Sequence, residues 1–362
     1  MAELLRELRA AGLCPPRVLT LSLTDHCNLS CRHCWVDAQP RTQPLWAPVE
    51  AVARLIEEFA ALGGEGIRLT GGEPLLHSHW HEFMSLARDL GLSRIELQTN
   101  GLLLGEAEIA ALLPCDGPEL SLRISLDGAC AESHDRVRGA GSFTGAMAAI
   151  RRLAAAGLAP RIVLAFTEMA HNLEEFPALL TLAAELGIGS VISGTLVRGG
   201  RGAAGGGVIP PAAEQFLALL ERYRQDVRFR DNYAALGTMA PLEWWLNDCS
   251  APPCSSLGEN PYITPLGLLY PCMLLQHRDY AVSGLFQRSL AEAYRAGLER
   301  WSTLRQWAQG RAEALVDCRQ CAQKAVCAGG CIGRSCGSGG DLHSVDDRCR
   351  LRRLIGEQPR FG

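Results

Sequence analysis

Lysine is almost missing from this chain. Of its 35 basic residues one, Lys324, is lysine, so Schiff-base lysine chemistry and a phosphate-binding P-loop are poor readings. Arginine codon preference in a GC-rich genome is a sufficient explanation of the bias. A basic excess is also missing: 35 basic residues face 39 acidic ones, for a net charge of −4. That argues against a nucleic-acid binder working through a broad basic face. No apolar run approaches the ~18 residues of a membrane span. The opening MAELLRELRAAG mixes Glu and Arg and has no signal-type apolar core. The expectation is a soluble, cytoplasmic protein that engages neither membrane nor nucleic acid. At 362 residues and 48% hydrophobic, the chain has the length of about two domains and the apolar mass for a sizeable core.

Cysteine, by contrast, is abundant. There are 15. Without a secretion signal disulfides are a poor explanation, because the cytosol keeps thiols reduced, and an odd number cannot pair completely. Metal binding is the leading reading before any motif is considered.

A rhythm of short apolar runs and amphipathic stretches organises the first half. Strands are expected at Val18–Thr24, Ile67–Thr70, Arg94–Thr99, Leu120–Leu126, Arg161–Thr167 and Ser190–Leu196, with helices near 48–62, 79–90, 105–113, 143–156 and 174–186. Strands alternating with helices at roughly 25–35-residue spacing predict parallel βα units. Polar residues and glycines collect after the strand ends, where such folds bind ligands: Cys27, Gly71-Gly72-Glu73, Asn100, Ser125 and Asp127, Thr167 and Glu168. Six units are too few for an eight-fold barrel. The expected fold is α/β, a partial (β/α)6 TIM-type barrel followed by a small cysteine-rich domain. The expected layout is an N-terminal helical extension over 1–17, the barrel over 18–200, a linker and helix over 201–248, and the cysteine-rich domain over 249–362. The run Gly199–Pro211 has six glycines in its first nine residues and reads as a loop or linker.

Cys27, Cys31 and Cys34 form CxxxCxxC after the first strand. Three thiolates cannot fill a four-ligand zinc shell, but they can hold three irons of a [4Fe–4S] cube and leave the fourth open to a chelating ligand. A partial zinc site or redox CxxC competes on spacing alone. Together with Gly71-Gly72-Glu73-Pro74, Ser125-Leu126-Asp127-Gly128, His134–Gly139 and Gly141-Ser142-Phe143, in this order along one βα series, the loop resembles the radical S-adenosylmethionine (SAM) enzymes over about residues 18–200. The resemblance implies a cluster on Cys27, Cys31 and Cys34. It implies that Gly71, Gly72 and Glu73 hold the SAM amino group, and that Ser125 and Arg138 hold its carboxylate. Asn100, Asp127 and Thr167 are candidates for ribose contacts, with loop caps as the competing role for Asn100 and Asp127. Trp35 stands where the family usually has Tyr or Phe beside the adenine. The implied chemistry is reductive cleavage of SAM to a 5′-deoxyadenosyl radical that abstracts hydrogen from a substrate.

Nine cysteines lie from 249 onward. Cys254, Gly267, Cys272, Cys318, Cys321, Cys327, Cys331 and Cys349 follow CxnGx4C…Cx2Cx5Cx3C…C, which resembles the SPASM extension of some radical enzymes. Its full form binds two auxiliary [4Fe–4S] clusters. By that resemblance Cys318, Cys321, Cys327 and Cys349 hold one, and Cys254, Cys272, Cys331 and the upstream Cys249 the other, giving three clusters in all. Four-thiolate zinc knuckles are the competing reading. Cys115 and Cys130 are expected as small buried residues. Cys336 reads as a bystander or a spare thiol beside the ligands.

Family members with the full extension mostly modify peptides. The sulfatase-maturing ones typically carry an Asp base after the cysteine matching Cys272; here Met273 stands there, and a thioether is no usable base. Only about 17 residues precede the first strand, so a peptide substrate calls for a separate recognition protein or for binding by the barrel itself. The expected function is therefore peptide maturation by a crosslink, thioether, epimerisation or oxidation, with a donor such as flavodoxin or ferredoxin. An epimerase or dehydrogenase of a small metabolite is the second reading, and an iron–sulfur carrier or sensor the third. Trp244-Trp245 and the glycine run are expected as core and linker, with a substrate entrance as the alternative. No catalytic acid, base or radical-quenching residue is assigned.

Overall fold

A computed structural model of the chain describes residues 2–117, 119–203, 207–247, 254, 257–339 and 341–359. Among the described residues nine strands run in chain order: β1 (Val18–Ser22), β2 (Gly66–Thr70), β3 (Arg94–Thr99), β4 (Leu120–Ser125), β5 (Ile162–Glu168), β6 (Ser190–Thr195), β7 (Gly237–Thr238), β8 (Tyr262–Ile263) and β9 (Leu269–Tyr270). The first six stand where the apolar runs put them, while the last three are two-residue strands that no alternation could announce.

The chain divides into two compact units, each discontinuous in sequence: Met1–Asn28, Ala38–Leu97 and Ser250–Asp347 form the first, and Leu29–Asp37, Gln98–Cys249 and Arg348–Gly362 the second. The cysteine-rich segment thus shares a unit with β1–β3. The physical cause is strand pairing. β8 adds in parallel to β1 (Thr20 with Tyr262, Leu21 with Ile263), and β9 returns antiparallel to β8.

In the first unit β1 also pairs in parallel with β2, and β2 with β3. Ile67, Leu69, Ile95 and Leu97 are fully buried. Their neighbours Arg68, Thr70 and Glu96 are half-buried on the opposite face, as the two-residue period of a strand requires. Helix Val49–Ala61 buries Val52, Leu55, Ile56 and Phe59, spaced along one stripe. A 25-residue helix, Leu290–Ala314, begins in a capping box: Ser289 Oγ accepts from Glu292 N, and Glu292 Oε2 accepts from Ser289 N. Its inward stripe of Leu290, Tyr294, Trp301, Leu304 and Ala308 ends in Arg311, also fully buried.

In the second unit β4, β5, β6 and β7 pair in parallel. Behind them Phe166, Phe176, Phe229, Tyr223, Tyr233 and Trp245 meet in tilted and edge-on contacts, the geometry favoured by the ring quadrupole. Trp245 is buried, and its Nε1 donates to Pro359 O at 3.0 Å. The Arg352 guanidinium lies 4.8 Å from the Trp244 ring centroid. The tryptophan pair therefore packs the chain's last helix, Cys349–Gly356, as the core reading expected.

Candidate functional site

In the first unit the segment after β2 is zipped onto the loop that leads to Cys27. Gly72 N donates to Thr24 O at 2.7 Å, and Glu73 N to His26 O at 2.9 Å. The approach is too close for a side chain. Gly71 has φ +132°, and a Cβ on Gly72 would lie 2.0 Å from His26 O. Thr24 Oγ1 and Asp25 Oδ1 bond the Leu45 carbonyl and amide at 2.8 Å each, and Cys27 N donates to Gln39 O at 3.1 Å. Cys27 is buried. Glu73 is fully buried, and its Oε1 accepts from Leu75 N at 3.2 Å, capping the short turn Pro74–Leu76.

In the second unit a sealed polar network stands beside Cys31. Asp127 Oδ2 accepts from Arg138 Nε at 2.6 Å and lies 3.1 Å from His33 Nε2. Asp127 Oδ1 accepts from Thr167 N at 2.8 Å, and Asp127 N donates to His134 Nδ1 at 3.1 Å. Burial works to raise the Asp127 pKa, but the Arg138 guanidinium and His33 outweigh it and hold the carboxyl well below the usual range. Burial, then the Arg138 charge, lowers His134 to about 4, so its ring is neutral at pH 7. His33 Nδ1 and His134 Nε2 are buried with no hydrogen-bond partner among the described residues. Asn100 Oδ1 accepts from Leu102 N at 3.0 Å in a turn. Ser125 is half-buried at the end of β4, as is Thr167 on β5. Cys31 is buried, and Cys34 and Trp35 are half-buried.

The same unit revises the linker reading at the start of the glycine run, whose residues 204–206 lie outside the described residues. Gly200–Ala203 is a helical turn pressed on the cysteine loop. Arg201 N donates to Cys34 O, and Arg201 Nε to Cys31 O, at 3.0 Å each. Neither Arg201 nor His33 had been singled out in the sequence. The glycines hid the first, and the flanking cysteines the second. Cys115 is buried as expected, but Cys130 is exposed. It precedes helix Ala131–Arg138, with its Sγ 3.8 Å from Glu175 Oε2.

The later cysteines of the first unit sit on short turns braced by Arg311. Its guanidinium donates to Gly329 O at 2.8 Å, to Ser335 Oγ at 2.6 Å, and to the carbonyls of Leu342 and Ser344. Cys331 N donates to Asp346 Oδ2 at 2.8 Å, and Arg334 grips Asp347 with two bonds of 2.7 Å. Lys324, between Cys321 and Cys327, pairs with Glu313 of the long helix at 2.5 Å. Burial pushes the Cys272 thiol up to about 12, and the charges of Cys331 and Cys254 add to the rise. The Cys331 and Cys254 sulfurs each lie within electrostatic reach of Cys272. The Met273 sulfur is 4.0 Å from Arg68 Nη1, on a guanidinium that also holds Glu96. Cys254, Cys321, Cys327, Cys331 and Cys336 are half-buried, Cys318 is buried, and Cys349 is half-buried in the second unit. Cys249 lies outside the described residues.

Cysteine sulfurs dominate the donors gathered on these segments. That donor set, soft and largely withdrawn from water, suits iron–sulfur ligation. Among the described residues no three His, Cys, Asp or Glu side chains converge as for a single metal ion. A four-iron cube spreads its ligands over separate corners and does not require such convergence.

These features can be set beside known proteins. The radical SAM superfamily pattern matches residues 21–197. The mycofactocin maturase MftC of Mycolicibacterium smegmatis is 30% identical over 347 residues, covering 93% of this chain and 83% of that protein. MftC of Mycobacterium ulcerans is 29% identical over 345 residues, covering 93% and 89%. The chain belongs to the radical SAM superfamily, and the cysteine spacing of its C-terminal region resembles the SPASM pattern. Its cofactors are accordingly SAM and a [4Fe–4S] cluster. The fold matches the crystal structure of Streptococcus suis SuiB bound to S-adenosylmethionine, with a TM-score of 0.71, 14% identity, and coverage of 96% of this chain and 80% of that one. The expected unclosed α/β barrel with a cysteine-rich extension is the architecture observed.

Proposed function

We propose that this chain is a radical SAM maturase of a ribosomal peptide. One observation carries the reading: the similarity to mycofactocin maturases runs through 93% of the chain and is not confined to the SAM-binding half. When bound, the cluster and SAM would supply one-electron radical chemistry able to remove hydrogen from an unactivated carbon.

The protein's part is to hold and orient. Cys27, Cys31 and Cys34 ligate the cluster. Gly71, Gly72 and Glu73 receive the SAM amino group, and Ser125 and Arg138 its carboxylate. Asp127 takes the Arg138 Nε, which fixes the plane of the guanidinium for a forked contact that lysine could not copy. Asn100, Asp127 and Thr167 flank the ribose, and Trp35 the adenine. Cys318, Cys321, Cys327 and Cys349 hold one auxiliary cluster, and Cys249, Cys254, Cys272 and Cys331 a second. Met273 cannot serve as a base, which weighs against sulfatase-type oxidation. A one-electron donor of the flavodoxin or ferredoxin type and a separate peptide-recognition protein complete the system.

The test is anaerobic. Protein reconstituted with iron and sulfide is reduced and given SAM, with and without the peptide encoded by a short reading frame beside its gene. The expected result is 5′-deoxyadenosine carrying deuterium from a labelled peptide, with iron falling by about four per chain when Cys27, Cys31 and Cys34 are replaced by Ala. Zinc in place of iron, or no 5′-deoxyadenosine under any condition, would overturn the reading. Label transfer from a small metabolite and none from the peptide would move the chain to metabolite chemistry.

A further inference from the structure

The glycine run is the motif that the proposed chemistry leaves unused. Its first residues are fitted to the cysteine loop at backbone contact. An added Cβ would lie 3.2 Å from Trp35 O at Gly199, 2.6 Å from Cys34 O at Gly200, and 3.2 Å from His33 O at Gly202. Gly200 has φ +48°. At Gly200 only a glycine allows so close an approach, and at Gly199 and Gly202 a side chain would fit only tightly.

The single long side chain between them, Arg201, meets that loop at three points. Its amide donates to Cys34 O at 3.0 Å, its Nε to Cys31 O at 3.0 Å, and its Nη1 pairs with Asp37 Oδ1 at 2.7 Å. Arg201 thus bridges the carbonyls of two cysteines and a carboxylate three residues beyond the second. The Arg201 side chain is 23% exposed and that of Asp37 51%, so the cation is the better shielded partner and the weaker-screened charge.

We propose that Arg201 is a positioning residue for the SAM-binding cluster: it fixes the spacing of Cys31 and Cys34 and sets the reduction potential of the cluster they hold, with Asp37 as its counterweight. The inference rests on the assignment of Cys31 and Cys34 as ligands. Reduction adds negative charge to the cluster. A fixed guanidinium next to the ligand backbone favours the reduced state, and a carboxylate that neutralises it opposes this. The two residues therefore act with opposite sign. That separates an electrostatic role from mere bracing of the loop, whose loss would affect both variants alike.

The experiment is a redox titration followed by electron paramagnetic resonance on the full reconstituted chain, with iron content measured in parallel. The SAM-binding cluster is identified as the signal that changes on adding SAM, and the remaining signals serve as internal references. Arg201→Gln should move that cluster to a more negative potential, and Asp37→Asn to a less negative one. Both variants should keep their iron, and the reference signals should stay in place. Arg201→Lys, which keeps charge but not the fork, should fall between wild type and Arg201→Gln. Should Arg201→Gln fail to retain iron, the sign of the Asp37→Asn shift decides alone. Equal potentials in all variants, or shifts of the same sign for the Arg201 and Asp37 changes, would overturn the inference. Failure of the ligand assignment is a different result: no signal responds to SAM even in the wild type.

Discussion

Arg138 reaches Asp127 through Nε at 2.6 Å, and solvent reaches 10% of the arginine side chain and none of the carboxylate. A buried pair of this kind is costly to break and cheap to replace. Asp127→Asn should destabilise the fold by about 3–5 kcal/mol, because it strands the Arg138 charge. Removing both charges together, as in Asp127→Asn with Arg138→Met, should recover much of the loss. Urea unfolding at pH 7 of both variants checks this. A double variant no more stable than the single would contradict it.

The same carboxylate predicts acid lability. Its pKa is held below the unfolded value, so its stabilisation is complete above an unfolded pKa of about 3.9 and is withdrawn as acid protonates the native state. His134 acts higher on the scale. With its pKa lowered to about 4, the native ring resists protonation while the unfolded ring accepts a proton near 6.5, so stability falls as pH drops from about 6.5 towards 4, by up to about 3 kcal/mol. His134→Gln should flatten the curve across that window. An unchanged slope would show that other groups dominate there.

Arg311 gives a third prediction. Four acceptors on the cysteine-bearing turns share one fully buried guanidinium. Arg311→Met keeps the stem and removes the donors. Leaving several buried acceptors unsatisfied costs about 1–3 kcal/mol each where water cannot enter. On the proposal that these cysteines hold iron, the variant should lose that iron before it loses helix content. Parallel iron assay and circular dichroism during heating would show the order, and simultaneous loss would refute it.

Gly72→Ala should be severe despite its small size. The added carbon meets a backbone carbonyl, which cannot rotate away, at a cost of about 1–3 kcal/mol. SAM affinity should fall more than stability, since the displaced segment carries Glu73. Equilibrium binding of SAM beside a thermal melt distinguishes the two. Equal affinity would mean that the Gly71–Glu73 segment is not part of the binding site.

The βα framework was legible because parallel strands buried on one face keep their apolar residues in short uninterrupted or alternating runs, as in Leu120–Ser125. The cysteine spacings are legible as a pattern because they recur at short, fixed intervals in the sequence. What escaped was set by tertiary pairing. β8 and β9 are two residues each and exist through β1, so the cysteine-rich segment reads as separable when it shares a unit with the first strands. Helix Leu290–Ala314 is hard to read from the sequence because small residues, Ala293, Gly297 and Ala308, and the charged Arg311 take places on its inward stripe. Arg201 was masked by surrounding glycines whose purpose is contact, where composition suggested slack. Cys130 shows the opposite error. Apolar character alone placed it inside, and the helix start Ala131–Arg138 carries it to the surface.

The lone lysine has a practical consequence. Its ε-amine lies between two cysteines of the C-terminal segment, 29% exposed and tethered to a glutamate that is 73% exposed. Apart from the α-amine, an acylating dye has nowhere else to attach. The protein thus comes with a built-in single-address handle, and a fluorophore placed there would follow folding of the cysteine-rich segment without any engineered tag.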